Sequence, residues 1–262
     1  MSLPLRSFVL AMCLLAAAPM LARIGAALPA FGAPTAIYGQ AVNAIAPTAR
    51  HVTNMVSAVN FDIRGMDTLG EEIMLLAAVT GAVMLLRGSR GEALSAKAGR
   101  IPGRAVRPPA EATRLVCRVL APVILLFGLY VVLHATVTPG GGFQGGVIVA
   151  SSLLLLYLGE GYEAWRRLMP SKVFDALEGG GAALYALAGL ASLSCGGAYL
   201  QNVLPLGKLK DMLSGGLMLV ENFGVACAVT GGFSLLFLEF MEETRALQSE
   251  TEEAEPSEGA SQ

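Results

Sequence analysis

Apolar residues run almost unbroken through Phe8–Leu21, Ile73–Leu86, Leu115–Leu133, Phe143–Leu158, Phe174–Leu193 and Leu213–Phe240, with polar and charged residues gathered between the runs. No face of such a run is polar enough for a surface helix of a soluble domain, so each predicts a membrane-spanning helix. The shorter ones cover only about 14–16 residues, or about 21–24 Å at a rise of 1.5 Å per residue, short of a hydrocarbon core of about 30 Å. Their glycyl and polar ends are therefore expected to continue the helices. Composition agrees: 54% of the 262 residues are hydrophobic and 15% are charged, against about 25% charged in ordinary soluble domains. The predicted fold is all-α, a polytopic integral membrane protein of about six transmembrane helices. The first run follows Arg6 and contains Ala16, Ala17 and Ala18, so it fits a signal peptide as well as a retained span.

Charge sets the orientation. Eight basic residues lie between Arg87 and Arg118, among Pro102, Pro108, Pro109 and several glycines. This reads as a flexible linker, and its lack of interleaved aromatics argues against a nucleic-acid partner. Placing both termini in the cytoplasm puts 13 of the 18 Lys and Arg there. Only Arg23, Arg50, Arg64, Lys208 and Lys210 are left outside. The reversed orientation exposes the basic linker and loses. The expected organisation is a two-span region over 1–87, the basic linker over 88–110, a four-span domain over 111–241 and an acidic, disordered tail over 242–262.

His134–Gly146, HATVTPGGGFQGG, joins the third and fourth runs and is almost uncharged. Pro139 fixes its own φ, and the glycines after it permit left-handed angles, so a tight reversal closing a helical hairpin is expected. No strand precedes it and no Gly-Lys-Ser/Thr follows, which argues against a phosphate loop. Two His and four scattered Cys offer no metal-ligand spacing. No nucleophile motif or dinucleotide fingerprint is found, so neither a catalytic site, a metal nor a cofactor is expected.

The stretch Thr138-Pro139-Gly140-Gly141-Gly142-Phe143-Gln144-Gly145-Gly146, with His134 before it, resembles the signature of the MnhB-like subunit of multisubunit Mrp-type Na+/H+ antiporters. The likeness covers roughly 111–241. A second stretch, Val59–Glu72, resembles the last part of the large subunit of the same antiporters, and a small hydrogenase subunit related to it, where the pattern is DFRGFDTLGE. Asp62, Arg64, Gly65, Asp67, Thr68, Leu69, Gly70 and Glu71 match, while Ile63 and Met66 replace aromatics. The chain thus resembles the tail of the large subunit fused to an MnhB-like subunit. This implies a bacterial or archaeal plasma-membrane protein, without catalysis of its own, that assembles in the bilayer with large channel-bearing and small membrane subunits moving Na+ and H+. Two other roles stay open: a membrane-arm subunit of a hydrogenase or related complex-I-like oxidoreductase, and a stand-alone scaffold or assembly factor.

Ionisable groups in or beside spans are the candidates for function, because they are expensive in a bilayer. Asp62, Arg64, Asp67 and Glu71 cluster at the mouth of the second span. There Asp67 and Glu71 are spaced to share a helix face with Arg64 one turn earlier, while Glu72 is about 100° around and is expected to matter less. His134, with Thr138 and Gln144, suits either a proton relay or hydrogen bonding across the turn. Glu160 and Glu163 read as surface ion pairs. Glu178 precedes three glycines, and Glu221 is followed by Gly224, Ala228, Gly231 and Gly232, small residues that let another helix come close.

Overall fold

The computed structural model describes residues 3–28, 37–96, 110–161, 165, 167 and 170–254. The chain forms two units that divide after Ala41. The first contains α1 (Leu3–Ala27) and the opening residues of α2 (Ile37–Ala49). The second contains the rest of α2, α3 (Met55–Ala58), a π-helical turn at Val59–Ile63, α4 (Gly65–Ala96), α5 (Glu111–Leu133), α6 (Gly142–Glu160), α7 (Ser171–Ser194) and α8 (Leu217–Ala254). Among the described residues there is no strand. Among the described residues six helices have the length and hydropathy to cross a membrane, over Ser7–Ala27, Gly65–Arg87, Glu111–Leu133, Gly142–Glu160, Ser171–Ser194 and Leu217–Met241.

These helices are longer than the apolar runs that predict them. α4 starts at Gly65 rather than Ile73, and it continues beyond Arg87 to Ala96, into the stretch expected to be linker. α8 likewise runs to Ala254, into the stretch expected to be disordered. Both extensions carry Glu, Ala and Leu, which favour helix whether or not they are buried. The remainder of the linker, 97–109, and of the tail, 255–262, lies outside the described residues, as does Glu163.

In the second unit α8 is the central element, packed against α4, α6 and α7, while α5 pairs with α6. One apolar core gathers Ala46, Val52, Phe61, Tyr185, Met218 and Val225. The other, around Val79, Val83, Trp165, Phe174, Leu235 and Leu238, lies toward the far ends of the same helices.

The α5–α6 hairpin turns through 134–141, and Gly140 and Gly141 take φ of 137° and 157°. The other glycines of the signature thin the helix contacts. A Cβ on Gly142 would lie 2.8 Å from Ala226 N and 2.9 Å from Val225 Cβ of α8, and one on Gly146 would lie 2.9 Å from Val229 Cβ. On the opposite side Gly145 meets Gly128 and Val132 of α5. So α6 is held between two helices at distances that only glycine permits.

Candidate functional site

The N-terminal module and the glycine turn are tied together by Thr53, Asn54 and Ser57. Thr53 Oγ1 donates to Val137 O at 2.6 Å, Ser57 Oγ to Ala135 O at 2.5 Å, and the backbone N–H groups of Thr53 and Asn54 to Thr136 O. Asn54 caps α3 by accepting from Val56 N at 3.1 Å. Its amide donates to the carbonyls of Ala135 (2.7 Å), Thr138 (2.9 Å) and Gly140 (3.1 Å). From the other side, Asn222 of α8 accepts from Gly142 N at 2.7 Å and donates to Val132 O at 3.0 Å. The turn is thus anchored by amide side chains that bond backbone groups in the interior, where polar groups need partners.

Around this anchor the candidate residues separate into an exposed set and a buried set. Arg64 pairs with Asp67, Nε to Oδ2 at 2.6 Å, on the surface, and Glu71, one turn after Asp67, is exposed too. Asp62 pairs instead with Arg50, a partner to which no motif points. His134 stacks on Tyr130 with ring centroids 3.9 Å apart, and its Nδ1 lies 3.0 Å from Tyr130 O. Thr138 Oγ1 donates to His134 O at 3.3 Å, and Gln144 is exposed. That is a turn held by its own contacts. Glu160 pairs with Arg118, with Nη2 donating to Oε2 at 3.0 Å.

The buried set faces the interior of the spans. Glu221 is 0% and Glu72 1% exposed, and neither oxygen of either carboxyl has a hydrogen-bond partner. Glu178 is buried too, with Oε1 unpartnered. From the sequence Glu71 carries the greater weight, but the structure buries Glu72 and leaves Glu71 exposed. The register of α4 explains this. Thr68, Val79 and Val83 are all buried, and Glu72 lies four residues after the first and seven before the second, on the same face. Counting back from Val79 would have identified it, whereas the DTLGE motif drew attention to Glu71.

Tyr185 lies beside Glu72 and Glu221, and its hydroxyl donates to Gly65 O at 3.0 Å. Glu178 reaches toward α8, where a Cβ on Gly232 would sit 3.3 Å from its Oε1. Farther along, Arg87 Nε donates to Glu239 Oε1 at 2.7 Å, with Nη2 3.5 Å from Asp175 Oδ1. Among the described residues no three His, Cys, Asp or Glu side chains converge as a metal site would require. The chemistry such an interface can perform is to hold and pass a small cation among carboxyl groups.

Comparison with known proteins gives the same direction. Residues 112–235 match a family described as a domain related to the MnhB subunit of Na+/H+ antiporter. An uncharacterized protein of Methanocaldococcus jannaschii is 30% identical over 209 residues, covering 74% of this chain and 79% of that protein. The B-type subunit of the Na+/H+ antiporter of Bacillus subtilis is 40% identical over 78 residues, 30% of this chain and 54% of that one. A chain of the membrane-bound sulfane sulfur reductase, an archaeal respiratory membrane complex, superposes with a TM-score of 0.68 at 26% identity, over 92% of this chain and 98% of that chain. A chain of the Mrp complex from Dietzia sp. DQ12-45-1b gives 0.66 at 25% identity, over 89% of this chain and 26% of that chain.

Proposed function

Since the chain belongs to the family related to the MnhB subunit of Na+/H+ antiporters, we propose that it is a membrane subunit of a multisubunit monovalent-cation/proton antiporter in a bacterial or archaeal plasma membrane. It contributes assembly contacts and part of an ion path, and has no catalytic site of its own. Both termini face the cytoplasm, an orientation supported by the basic residues from Arg87 onward. Residues 1–87 act as a module like the tail of the large subunit, and 111–241 as the MnhB-like module. Nearly all of this chain aligns with a single chain of the Mrp complex, which supports that fusion.

The observation that carries the reading is the pair of buried, unpartnered carboxyls, Glu72 and Glu221, behind a mouth lined by Asp62, Arg64, Asp67 and Glu71. A bundle that only had to assemble would gain by replacing them with apolar residues. The test is to purify an epitope-tagged chain from native membranes and to assay everted vesicles from a deletion strain. Antiporter subunits should co-purify, and Na+-dependent proton exchange should vanish on deletion and return on complementation. Glu72→Gln should reduce exchange more than Glu71→Gln. A chain that purifies alone, with exchange unaffected by its deletion, is a scaffold and the proposal falls. The similarity to a sulfane sulfur reductase chain supports a second reading, the same subunit in a redox-driven complex. Co-purifying iron–sulfur subunits would decide for it.

A further inference from the structure

The buried carboxyls follow a common line. α4 and α8 run parallel, because Val79 is opposite Gly232 and Arg87 bonds Glu239. α7 runs antiparallel to α8, with Glu178 opposite Gly231 and Tyr185 opposite Gly224. Projecting back seven residues from Val79 sets Glu72 near the level of Val225, about 6 Å along the axis from Glu221. Glu178 enters at the level of Gly232, about 10 Å farther on, and Glu239 follows after about another 10 Å. On α8 itself Glu221 and Glu239 are eighteen residues apart, which is five whole turns. They therefore share one face, about 27 Å apart, close to the thickness of a hydrocarbon core of about 30 Å.

Each member has its own titratable neighbours. Glu221 has Asp62 and Tyr185, Glu72 has Glu71 and Tyr185, Glu178 has Asp175, and Glu239 has Arg87. Basic residues stand at both ends: Arg50 pairs with Asp62 beside Glu221, and Arg87 holds Glu239 and approaches Asp175. Between the ends the walls are apolar: Val79, Val225 and Leu235.

An unpartnered carboxylate in such surroundings is costly and is completed by a proton or by a cation. A hard cation needs several oxygen ligands around it, and these carboxyls stand about a turn or more apart along a single line. A proton needs only one oxygen.

We propose that Glu221, Glu72 and Glu178, ending at the Glu239–Arg87–Asp175 cluster, form a proton-transfer row that crosses the membrane within this one chain. At each step a carboxylic acid gives up its proton and becomes a carboxylate, and the next carboxylate becomes the acid. No electrons move. The longer intervals exceed a direct hydrogen bond and are crossed by side-chain rotation and bridging water. The Arg87 cluster is one charged end of the row, where a proton arriving on Glu239 weakens its pair with Arg87 and frees the guanidinium for Asp175.

The row depends on the transport-subunit reading only for the use made of it, so the two can fail separately. The test is infrared spectroscopy of the purified complex that contains the chain, in H2O and in D2O, alongside exchange assays in proteoliposomes. The wild-type complex should show buried carboxylic-acid bands that shift in D2O. Glu221→Gln, Glu72→Gln and Glu178→Gln should each remove one such band and slow proton exchange at least about tenfold. The corresponding Glu→Asp variants, which keep the carboxyl, should retain a band and much of the rate. Should a Gln variant not assemble, its Asp counterpart and the wild-type bands still decide. The proposal is overturned if the wild type has no D2O-sensitive acid band, if the Gln variants exchange normally, or if added Na+ removes the bands at constant pH. A wild-type complex without Na+-dependent exchange would refute the antiporter assignment instead, and leave the bands to judge the row.

Discussion

Gly142→Ala tests the claim that α6 is seated against α8 at glycine distance. The new Cβ would lie 2.8 Å from Ala226 N and 2.9 Å from Val225 Cβ, and closer still to the carbonyl oxygen of Asn222. Two of those three atoms are backbone, so no rotamer change relieves the overlap. Ordinary carbon contacts are about 3.5–4.0 Å, and the helices must separate by roughly 1 Å. Overpacking of this kind costs about 1–3 kcal/mol. The same shift stretches the 2.7 Å bond from Gly142 N to Asn222 Oδ1, adding roughly 0.5–1.5 kcal/mol. At about 2–4 °C per kcal/mol for a chain of this size, the melting temperature should fall by on the order of 5–15 °C. Heating the detergent-solubilised complex and following its size-exclusion peak measures this directly. Gly81→Ala is the control, because nothing lies within 4 Å of the added Cβ, and alanine is the better helix former by about 1 kcal/mol. If Gly142→Ala melts within a degree of wild type, the α6–α8 seat is not as close as described.

The remaining expectations concern how the halves join and how they face the bilayer. Asn54→Ala leaves the carbonyls of Thr138 and Gly140 without their side-chain donor, while Ala135 keeps the Ser57 hydroxyl, and should cost about 1–3 kcal/mol in the same heating assay. Asn54→Asp, which cannot donate, should not restore it. Two chains made by cutting within 96–105 and co-expressed should still co-purify, because α4 packs on α8 without the linker; recovery of separate halves would make the linker itself a docking element. A cysteine at Ser95 should resist an impermeant thiol reagent in intact cells, and ready labelling would overturn the proposed orientation.

The hairpin and its neighbours could be read from the sequence because hydropathy alone separates Leu115–Leu133 from the glycyl turn after it. What the glycines are for could not. Freedom of φ and absence of a side chain are two properties of one residue, and only the helix register distinguishes their use. Gly140 and Gly141 use the first in the turn, whereas Gly142, Gly145 and Gly146 use the second against α8 and α5. The same ambiguity hid Glu72. Adjacent carboxylates at a helix mouth look equivalent until the buried face is fixed, and that face is set by Val79 and Val83 about two turns and more downstream. The partners of Asp62 and of the turn, Arg50 and Asn54, are distant or irregular in sequence and follow no periodic rule. Glu221 was legible for the opposite reason: the small residues after it repeat at helical spacing, so a close neighbour on that face was expected.

Those small residues also offer a way to separate fold from chemistry on α8. Gly231 and Gly232 are adjacent but meet different atoms of α7 and α4. A Cβ on Gly231 would lie 2.6 Å from Phe174 O and 2.5 Å from Glu178 N, against backbone that cannot move aside. A Cβ on Gly232 would lie 3.2 Å from Val79 Cγ2 and 3.3 Å from Glu178 Oε1, tight contacts with side-chain atoms that can shift by a few tenths of an ångström. Gly231→Ala should therefore lower the melting temperature much as Gly142→Ala does, by overpacking worth about 1–3 kcal/mol. Gly232→Ala should change it little, since the strain is small and alanine is the better helix former. It nevertheless pushes the Glu178 carboxyl off the line between Glu72 and Glu239, so proton exchange should slow severalfold in a complex that assembles and melts like wild type. Normal exchange in that variant would show that transport does not need Glu178 held over the Gly231–Gly232 notch. The glycines of α8 would then serve helix contact alone.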